Sequence, residues 1–275
     1  MSPSDAISPT AHYTGQVWSR NGLSHPLLWT REGWVLFETL HPVMSVSGAL
    51  GGPSLETYLL ARHRAIDALL ERAIEEHGVA QVIEVAAGFS PRGWRFVNRY
   101  GDRITYVEGD LPEMASRKRA ALKRIGTLSD RHRVVDLDAL RDGGQGSLAA
   151  VAAELDPNQG LAIITEGLLG YLPSDAVQGL WRRFARTLGE FPTGRYISDV
   201  HLGSSVNVAV RGFRLVLAAF VRGRVYLHFG SAEQAEAQLR RSGFAGASVR
   251  PAWEIVDLPR DRGSQLAHIL EASTE

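Results

Sequence analysis

Residues 79–96 of this chain, VAQVIEVAAGFSPRGWRF, carry its most chemically suggestive spacing. A β-branched run, Gln81 to Val85, stops at Ala86-Ala87-Gly88, and a helix-compatible stretch follows Pro91. That pattern is a buried strand ending in a tight turn at the head of a helix, as in the first unit of a nucleotide-binding α/β sheet. Small residues let the backbone approach a ligand closely, and Gly88 can take positive φ. An alanine at position 86 is tolerable there if it keeps a negative φ. The full Gly-x-Gly-x-x-Gly spacing is absent, so the turn alone fits equally an α/β protein that binds nothing there. Arg103-Ile-Thr-Tyr-Val-Glu-Gly-Asp110 then reads as a second strand. It ends in an acid about twenty positions after the turn, where such sheets place a carboxylate on a ribose. Asp110 could instead cap the helix that begins near Pro112. Glu108 lies on the same side of the strand, two residues deeper.

Further positions could take part. Arg62 sits in the apolar stripe Leu55, Leu59, Ile66, Leu69, Ala73 of a helix spanning 55–77. It either snorkels out of the core edge or holds a carboxylate bidentately. On the second reading Arg62→Met should leave the stability of the ligand-free protein unchanged or raised. His63 and Arg64 are expected to be solvated. A third strand, 132–136, ends near Asp136 and Asp138, acids that could accept from an adenine amino group. A fourth, 160–165, runs apolar into Glu166, with Tyr171 on the following loop, where open α/β sheets bind ligands. His201, past a fifth strand at 195–200, is the strongest base candidate, although a histidine bonded to backbone explains it as well. His12 and His25 are weaker candidates.

These side chains need a frame, and the alternation of strands with helical segments supplies one. The sequence predicts an α/β, doubly wound, mostly parallel sheet. Helix 231–241 ends at a glycine stop. The runs 247–251 and 265–270 then leave no room for a helical crossover, so one antiparallel strand should close the sheet near the C-terminus. Residues 1–54, rich in Trp, His, Gly and Pro from residue 11 on, read as a helical cap. Residues 55–275 read as the main domain, with a helical insertion at about 205–224 that completes the lid.

The 275 residues can form one sizeable core. Thirty basic and thirty acidic side chains cancel, which argues against a nucleic-acid or anionic-membrane partner. With no cysteine there is no disulfide, thiolate metal site or cysteine nucleophile, and no metal is expected. The N-terminus has no signal-peptide pattern and no apolar run is long enough to span a bilayer, so a cytoplasmic protein is expected.

Five blocks in order resemble the leucine carboxyl methyltransferase family, class I enzymes dependent on S-adenosylmethionine (SAM), in its bacterial polyketide O-methyltransferase-like branch. They are Ala61-Arg62-x-x-x-Ile66-Asp67, then Glu84-x-x-Ala87-Gly88-Phe-Ser-x-Arg92-x-x-Arg95, and Tyr106-x-Glu108-x-Asp110-Leu-Pro112 with Lys118. Asp136-Leu137 and Glu166-Gly-Leu-Leu-x-Tyr171 complete the set. The resemblance covers about residues 58–175. It implies a seven-stranded Rossmann-like sheet and SAM as cofactor. It also implies a site in which Arg62 holds the SAM carboxylate, Gly88 approaches the methionine part and Asp110 binds the ribose. Asp136-Leu137 would flank the adenine, Glu166 and Tyr171 would lie near the amino group and the methyl, and Glu84 would belong to the cofactor-binding set. Ala86 stands where relatives usually have the first glycine.

The expectation is a SAM-dependent O-methyltransferase acting on a carboxylate or phenolic oxygen of a small molecule or natural product. Carboxylate is favoured because it needs no base, with His201 and Tyr171 as the catalytic candidates. The rivals are a nicotinamide-dependent oxidoreductase on the same sheet and a catalytically idle SAM-binding protein. The acceptor's identity and the lid residues that touch it are not legible in the sequence, and neither is the oligomeric state, for which a homodimer stays open.

Overall fold

The computed structural model describes residues 3–31, 33–35, 37–39, 54–203, 226–258 and 263–275, with side chains from residue 12 onward. The insertion expected at 205–224 and the segment 40–53 lie outside the described residues. The sheet has seven strands: β1 (Val79–Val85), β2 (Thr105–Asp110), β3 (His132–Asp136), β4 (Gly160–Thr165), β5 (Gly194–Val200), β6 (Gly246–Pro251) and β7 (His268–Ser273). Their order is β3-β2-β1-β4-β5-β7-β6, and β7 runs antiparallel to both its neighbours. The strands fall close to the sequence expectation. The largest shift is in β7, where Ser264–Leu266 coils into a 3-10 turn before the strand begins. β2 ends at Asp110, as the sequence reading has it, and begins two residues later than expected.

Period-2 alternation assigns each strand residue to one face. Ile83, Val85, Val107 and Ile163 meet Leu180, Trp181 and Phe184 of α6 (Ser174–Leu188) and Leu239 of α7 (Ala232–Arg241). Val151 of α5 (Leu148–Ala152) joins the same cluster. Val82, Tyr106, Ile164 and Ile197 face the other way. They meet Ile66, Leu69 and Ala73 of α2 (Leu55–Glu76) and Phe96 of α3 (Arg92–Tyr100). α4 (Pro112–Ile125) packs Ala115 and Leu122 on Val134 of β3. α2 starts where Ser54 Oγ accepts from Thr57 N at 3.4 Å, a side-chain cap, and Gly78 follows it at φ +69°.

α2 is buried on more than one side. The sheet covers one flank, and α1 (Pro3–Arg20) packs Tyr13 and Val17 into the same cluster on another. His63, expected in solvent, is therefore fully buried, with Trp18 of α1 tilted over its ring at 4.8 Å. Arg64 is exposed as expected.

The strand order reverses direction between β1 and β4, the topological switch at which such sheets open a crevice beyond their carboxyl ends. The turn at the head of β1 departs from expectation. Ala86 adopts φ +55°, the only positive-φ residue other than glycine among the described residues, and Gly88 follows at φ +48°. A left-handed conformation costs an L-residue about 1–2 kcal/mol. Glycine at position 86 would relieve that strain but lose about 0.5–1 kcal/mol more chain entropy on folding. Ala86→Gly is therefore expected to stabilise the protein modestly, raising its melting temperature by a few degrees at roughly 2–4 °C per kcal/mol. A fall in melting temperature, read by calorimetry, would show that the alanine methyl contributes more than its backbone strain removes.

Candidate active site

One pocket opens over the carboxyl ends of five neighbouring strands. Leu137, Asp138 and Ala139 line it beyond β3, Asp110 at β2, Ala86–Ser90 beyond β1, Glu166–Leu168 beyond β4 and His201 beyond β5. Thr14 and Trp18 of α1, with Leu55, Leu59 and Arg62 on one face of α2, form its wall.

The turn and the first acid are physically joined. Asp110 Oδ2 accepts from Gly88 N at 2.7 Å, and Oδ1 accepts from Leu111 N at 2.7 Å. Asp110 thus secures the turn of β1 and does not cap α4, whose N-cap Leu111 makes no side-chain cap bond. Burial raises the Asp110 pKa, against the two backbone hydrogen bonds and Lys118, which lower it. Glu108, deeper on the same face, stands in register with Glu84 of β1. Two carboxylates side by side repel unless each is countered. Glu108 pairs with Lys118 and accepts from His132 Nε2 at 2.7 Å. α3 crosses close above it at Gly93, where a Cβ would lie 2.5 Å from Glu108 Oε1.

Glu84 belongs to a second, larger network. Its Oε1 accepts from Arg92 Nη1 at 2.6 Å and its Oε2 from Tyr106 Oη at 2.8 Å. Arg92, fully buried, also reaches Asp67 Oδ1 through Nε and Glu166 Oε2 through Nη2, each at 2.6 Å. Glu166 further contacts His63 Nδ1 at 2.8 Å and accepts from Arg62 Nε at 3.0 Å. Arg62 Nη1 lies 3.3 Å from Asp199 Oδ2, while Asp199 Oδ1 accepts from Gly167 N at 2.6 Å. Arg95 closes the network on Asp67 at 2.6 Å. Burial would raise the Glu166 pKa, but His63, Arg92 and Arg62 outweigh it and hold the group well below the ordinary carboxylate value. The same balance, burial against His63, Arg92 and Arg95, leaves Asp67 lowered.

Arg62 thus neither snorkels nor waits for a ligand to neutralise it, because two protein carboxylates already do so. Tyr171 lies on the pocket wall in the 3-10 turn Leu169–Tyr171. Asp136 does not face the pocket. Its exposed carboxylate accepts from Arg119 Nη2 at 3.0 Å, and Leu137 and Asp138 reach the lining instead. His201 Nε2 lies 2.9 Å from Tyr58 Oη, so its partner is a side chain rather than backbone. His12 packs on Phe89 at 5.1 Å and meets Thr30, and His25 accepts from Leu27 N to cap a short 3-10 turn.

Asp199, Tyr58 and Trp18 escaped the sequence reading. Asp199 is an acid near the end of the buried strand β5, a signal open to inspection. Trp18 is visible only in three dimensions: its Nε1 is buried without a hydrogen-bond partner on the pocket wall.

A model of the leucine carboxyl methyltransferase family matches residues 27–185, more than half of the chain. The chain belongs to that family. A relative from Frankia alni, named "Putative S-adenosyl-L-methionine-dependent methyltransferase", is 37% identical over 125 residues, covering 46% of this chain and 42% of its own length. A similarly named relative from Mycolicibacterium smegmatis is 38% identical over 111 residues, 40% of this chain and 36% of its own. The match thus spans less than half of either relative. Among solved structures, a DUF574 family protein from Streptomyces avermitilis superposes with TM-score 0.65 at 13% identity over 98% of this chain and all of its own. Human N-acetylserotonin methyltransferase in complex with SAM superposes with TM-score 0.51 at 10% identity, covering 98% of this chain and 64% of its own. Both show the Rossmann-like fold. Among the described residues no helix is long and apolar enough to cross a membrane.

The network makes two outcomes measurable. Removing one member of a buried charge cluster strands its partners, at about 3–5 kcal/mol. Arg62→Met should therefore lower the stability of the ligand-free protein by that order, opposite to the sequence expectation. Unchanged urea unfolding would return Arg62 to a purely ligand-facing role.

The pH dependence follows from the depressed carboxylates Asp67, Glu108 and Glu166. A carboxylate whose folded pKa lies below its unfolded value of about 4 contributes stability that is complete above that value. That contribution is lost as pH falls toward the folded pKa. Asp110, raised, acts in the opposite sense but is one group against three. These three carboxylates add no slope between pH 7 and 5, where the buried His201 and His268, both lowered, cost some stability, and urea unfolding should show a further fall below about pH 4. The slope should approach about 1.4 kcal/mol per pH unit for each proton taken up. Stability that stays level to pH 3 would mean that the cluster contributes nothing net.

Proposed function

We propose that this protein is a SAM-dependent O-methyltransferase acting on a carboxylate or phenolic oxygen of a small molecule. The observation that carries this reading is the carboxylate of Asp110 at the end of β2, bonded to the Gly88 turn and lining the same pocket as Glu166. The residues present fit the cofactor. The turn at Ala86–Gly88 exposes backbone to the pocket, and Asp110 retains unused lone pairs for two ribose hydroxyls. Leu137 with Ala139 offers an apolar slot for a base, with Asp138 beside it as an acceptor. Glu166 and Arg62 would take the amino and carboxylate ends of the methionine part, with Arg62 using Nη2, and Glu84 would act from behind by fixing Arg92. Trp18 Nε1, a buried donor lacking an acceptor, supports a polar ligand at that end.

When bound, SAM supplies an electrophilic methyl group whose transfer is an in-line displacement, so the protein contributes chiefly orientation and exclusion of water. Residues 11–54 and the insertion near 205–224 would form the cover. Thr14 and Trp18 on the pocket wall support the first of these assignments. Tyr171 would border the acceptor.

A hydrogen bond to a charged group is worth about 1.5–3 kcal/mol, so Asp110→Ala should weaken SAM binding at least about tenfold by calorimetry. Wild-type protein that bound NAD more tightly than SAM would favour an oxidoreductase. Stoichiometric SAM binding without methyl transfer to any tested acceptor would favour an idle binding protein.

A further inference from the structure

The pocket is longer than the cofactor reading uses. A nucleotide held at β3, β2 and β1, with its methionine part at Glu166, leaves the stretch beyond β4 and β5. Strand neighbours lie about 4.8 Å apart, so this stretch is at least one strand spacing wide. Its polar centre is the Tyr58–His201 pair, with Oη and Nε2 2.9 Å apart and both rings on the pocket wall. Around it Trp18 of α1 and Leu55 and Leu59 of α2 supply apolar surface. His201 Nδ1 makes no hydrogen bond to the protein among the described residues and is not among the buried unsatisfied atoms. It is therefore open to a ligand.

Charge decides which ligand suits it. Among the described residues, each arginine on the pocket wall is committed to a carboxylate: Arg62 to Glu166 and Asp199, and Arg117 to Glu113 at 2.8 Å. Glu84, Asp110, Asp138 and Glu166 line the same cavity. Arg62 is the guanidinium that bears on this pair, and with Nε and Nη1 on Glu166 and Asp199 and Nη2 given to the SAM carboxylate it has nothing left for an anionic acceptor. A neutral hydroxyl has no such penalty and needs what the carboxylate does not, a proton acceptor.

We propose that His201, oriented by Tyr58, accepts the proton of a neutral hydroxyl on a flat apolar substrate, making this a phenol-type rather than a carboxylate O-methylation site. The proposal rests on reading the pocket as a SAM site. The hydroxyl proton passes to Nδ1. The oxygen lone pair forms the new bond to the methyl carbon, and sulfur keeps the electron pair of the bond that breaks. In the tautomer this proposal assigns, Nε2–H donates to Tyr58 Oη and Nδ1 is bare. Tyr58 is a positioning residue, and burial raises its pKa so that it keeps its own proton. The groups bearing on His201 are Tyr58 and Arg62 of α2, Asp199 of β5, His228 ahead of α7 and His268 of β7. Burial lowers the His201 pKa, Asp199 opposes, and Arg62, His228 and His268 reinforce it, so the ring is neutral near pH 7.

The test uses the full chain saturated with SAM's demethylated product and two probes of one skeleton, 1-naphthol and 1-naphthoate. Calorimetry should find naphthol bound at least about tenfold more tightly. Methyl transfer from labelled SAM to naphthol should rise with pH through the histidine range. It should fall 10² or more in His201→Ala, with affinity for the SAM product kept. Tyr58→Phe should shift the midpoint of the pH profile and lower turnover more than it changes the Michaelis constant. Preference for naphthoate overturns the proposal, as does a rate that is flat in pH and survives His201→Ala within about tenfold. So does binding of neither probe to the product complex. In each of these cases product binding at one per chain leaves the SAM reading standing. Failure of the wild type to bind SAM or its product would instead remove that reading itself.

Discussion

Glu166 is the carboxylate on which the architecture of the site turns. One of its oxygens meets Arg62 and the other meets Arg92 and His63, so α2, α3 and the end of β4 converge on a single group. Each of those charges would be prohibitive to bury alone and is tolerable only because the others are present. Arg92 passes the constraint on to Glu84 in β1 and Asp67 in α2, and Arg62 passes it to Asp199 in β5. The carboxyl ends of three adjacent strands and the two helices above them are thereby set in one arrangement. The pocket lies along the open side of that arrangement, and its geometry follows from the charges beneath it.

The turn of β1 solves a different problem by backbone means. Gly88 and Ala86 both take left-handed conformations, and the segment between them would be loose were it not tied to the neighbouring strand. Asp110 supplies that tie through Gly88 N, while Ala87 N donates to Gly109 O at 3.1 Å. The carboxylate that faces the pocket therefore also holds the loop that faces the pocket. Strain at Ala86 persists because the strand before it and the bond after it leave no other path.

What the sequence made legible was what is local. The strand–turn–helix of residues 79–100, the acid at 110 and the acid at 166 follow from apolar runs and their ends. The alternation of runs was enough to give the sheet its strand count and its antiparallel closure. Pairings across long separations were not legible: Arg62 finds Asp199 across 137 positions and Glu166 across 104. Periodicity identified one apolar stripe on α2 but could not show that α1 covers a second flank, so His63 was assigned to solvent. The positive φ of Ala86 was hidden because alanine carries no signal for that conformation, whereas glycine does. Asp136 was misplaced by direction alone. Successive strand residues point to opposite faces, and the chain turns so that Leu137 and Asp138 reach the cavity.

The two kinds of support give the site carboxylates different characters. Within the network four carboxylates, Asp67, Glu84, Glu166 and Asp199, face three guanidiniums, Arg62, Arg92 and Arg95. His63 touches both Glu166 and Asp67. Changing any member there perturbs fold and site together, because the same contacts serve both. Asp110 is bound by backbone N–H groups at the rim of the core, and its folded pKa is displaced upward rather than downward. Burial thus makes ionising it cost the folded state something that the two backbone hydrogen bonds and Lys118 only partly offset. A substitution at Asp110 therefore acts on the turn of β1 alone, whereas one at Arg62 acts on the whole charge network.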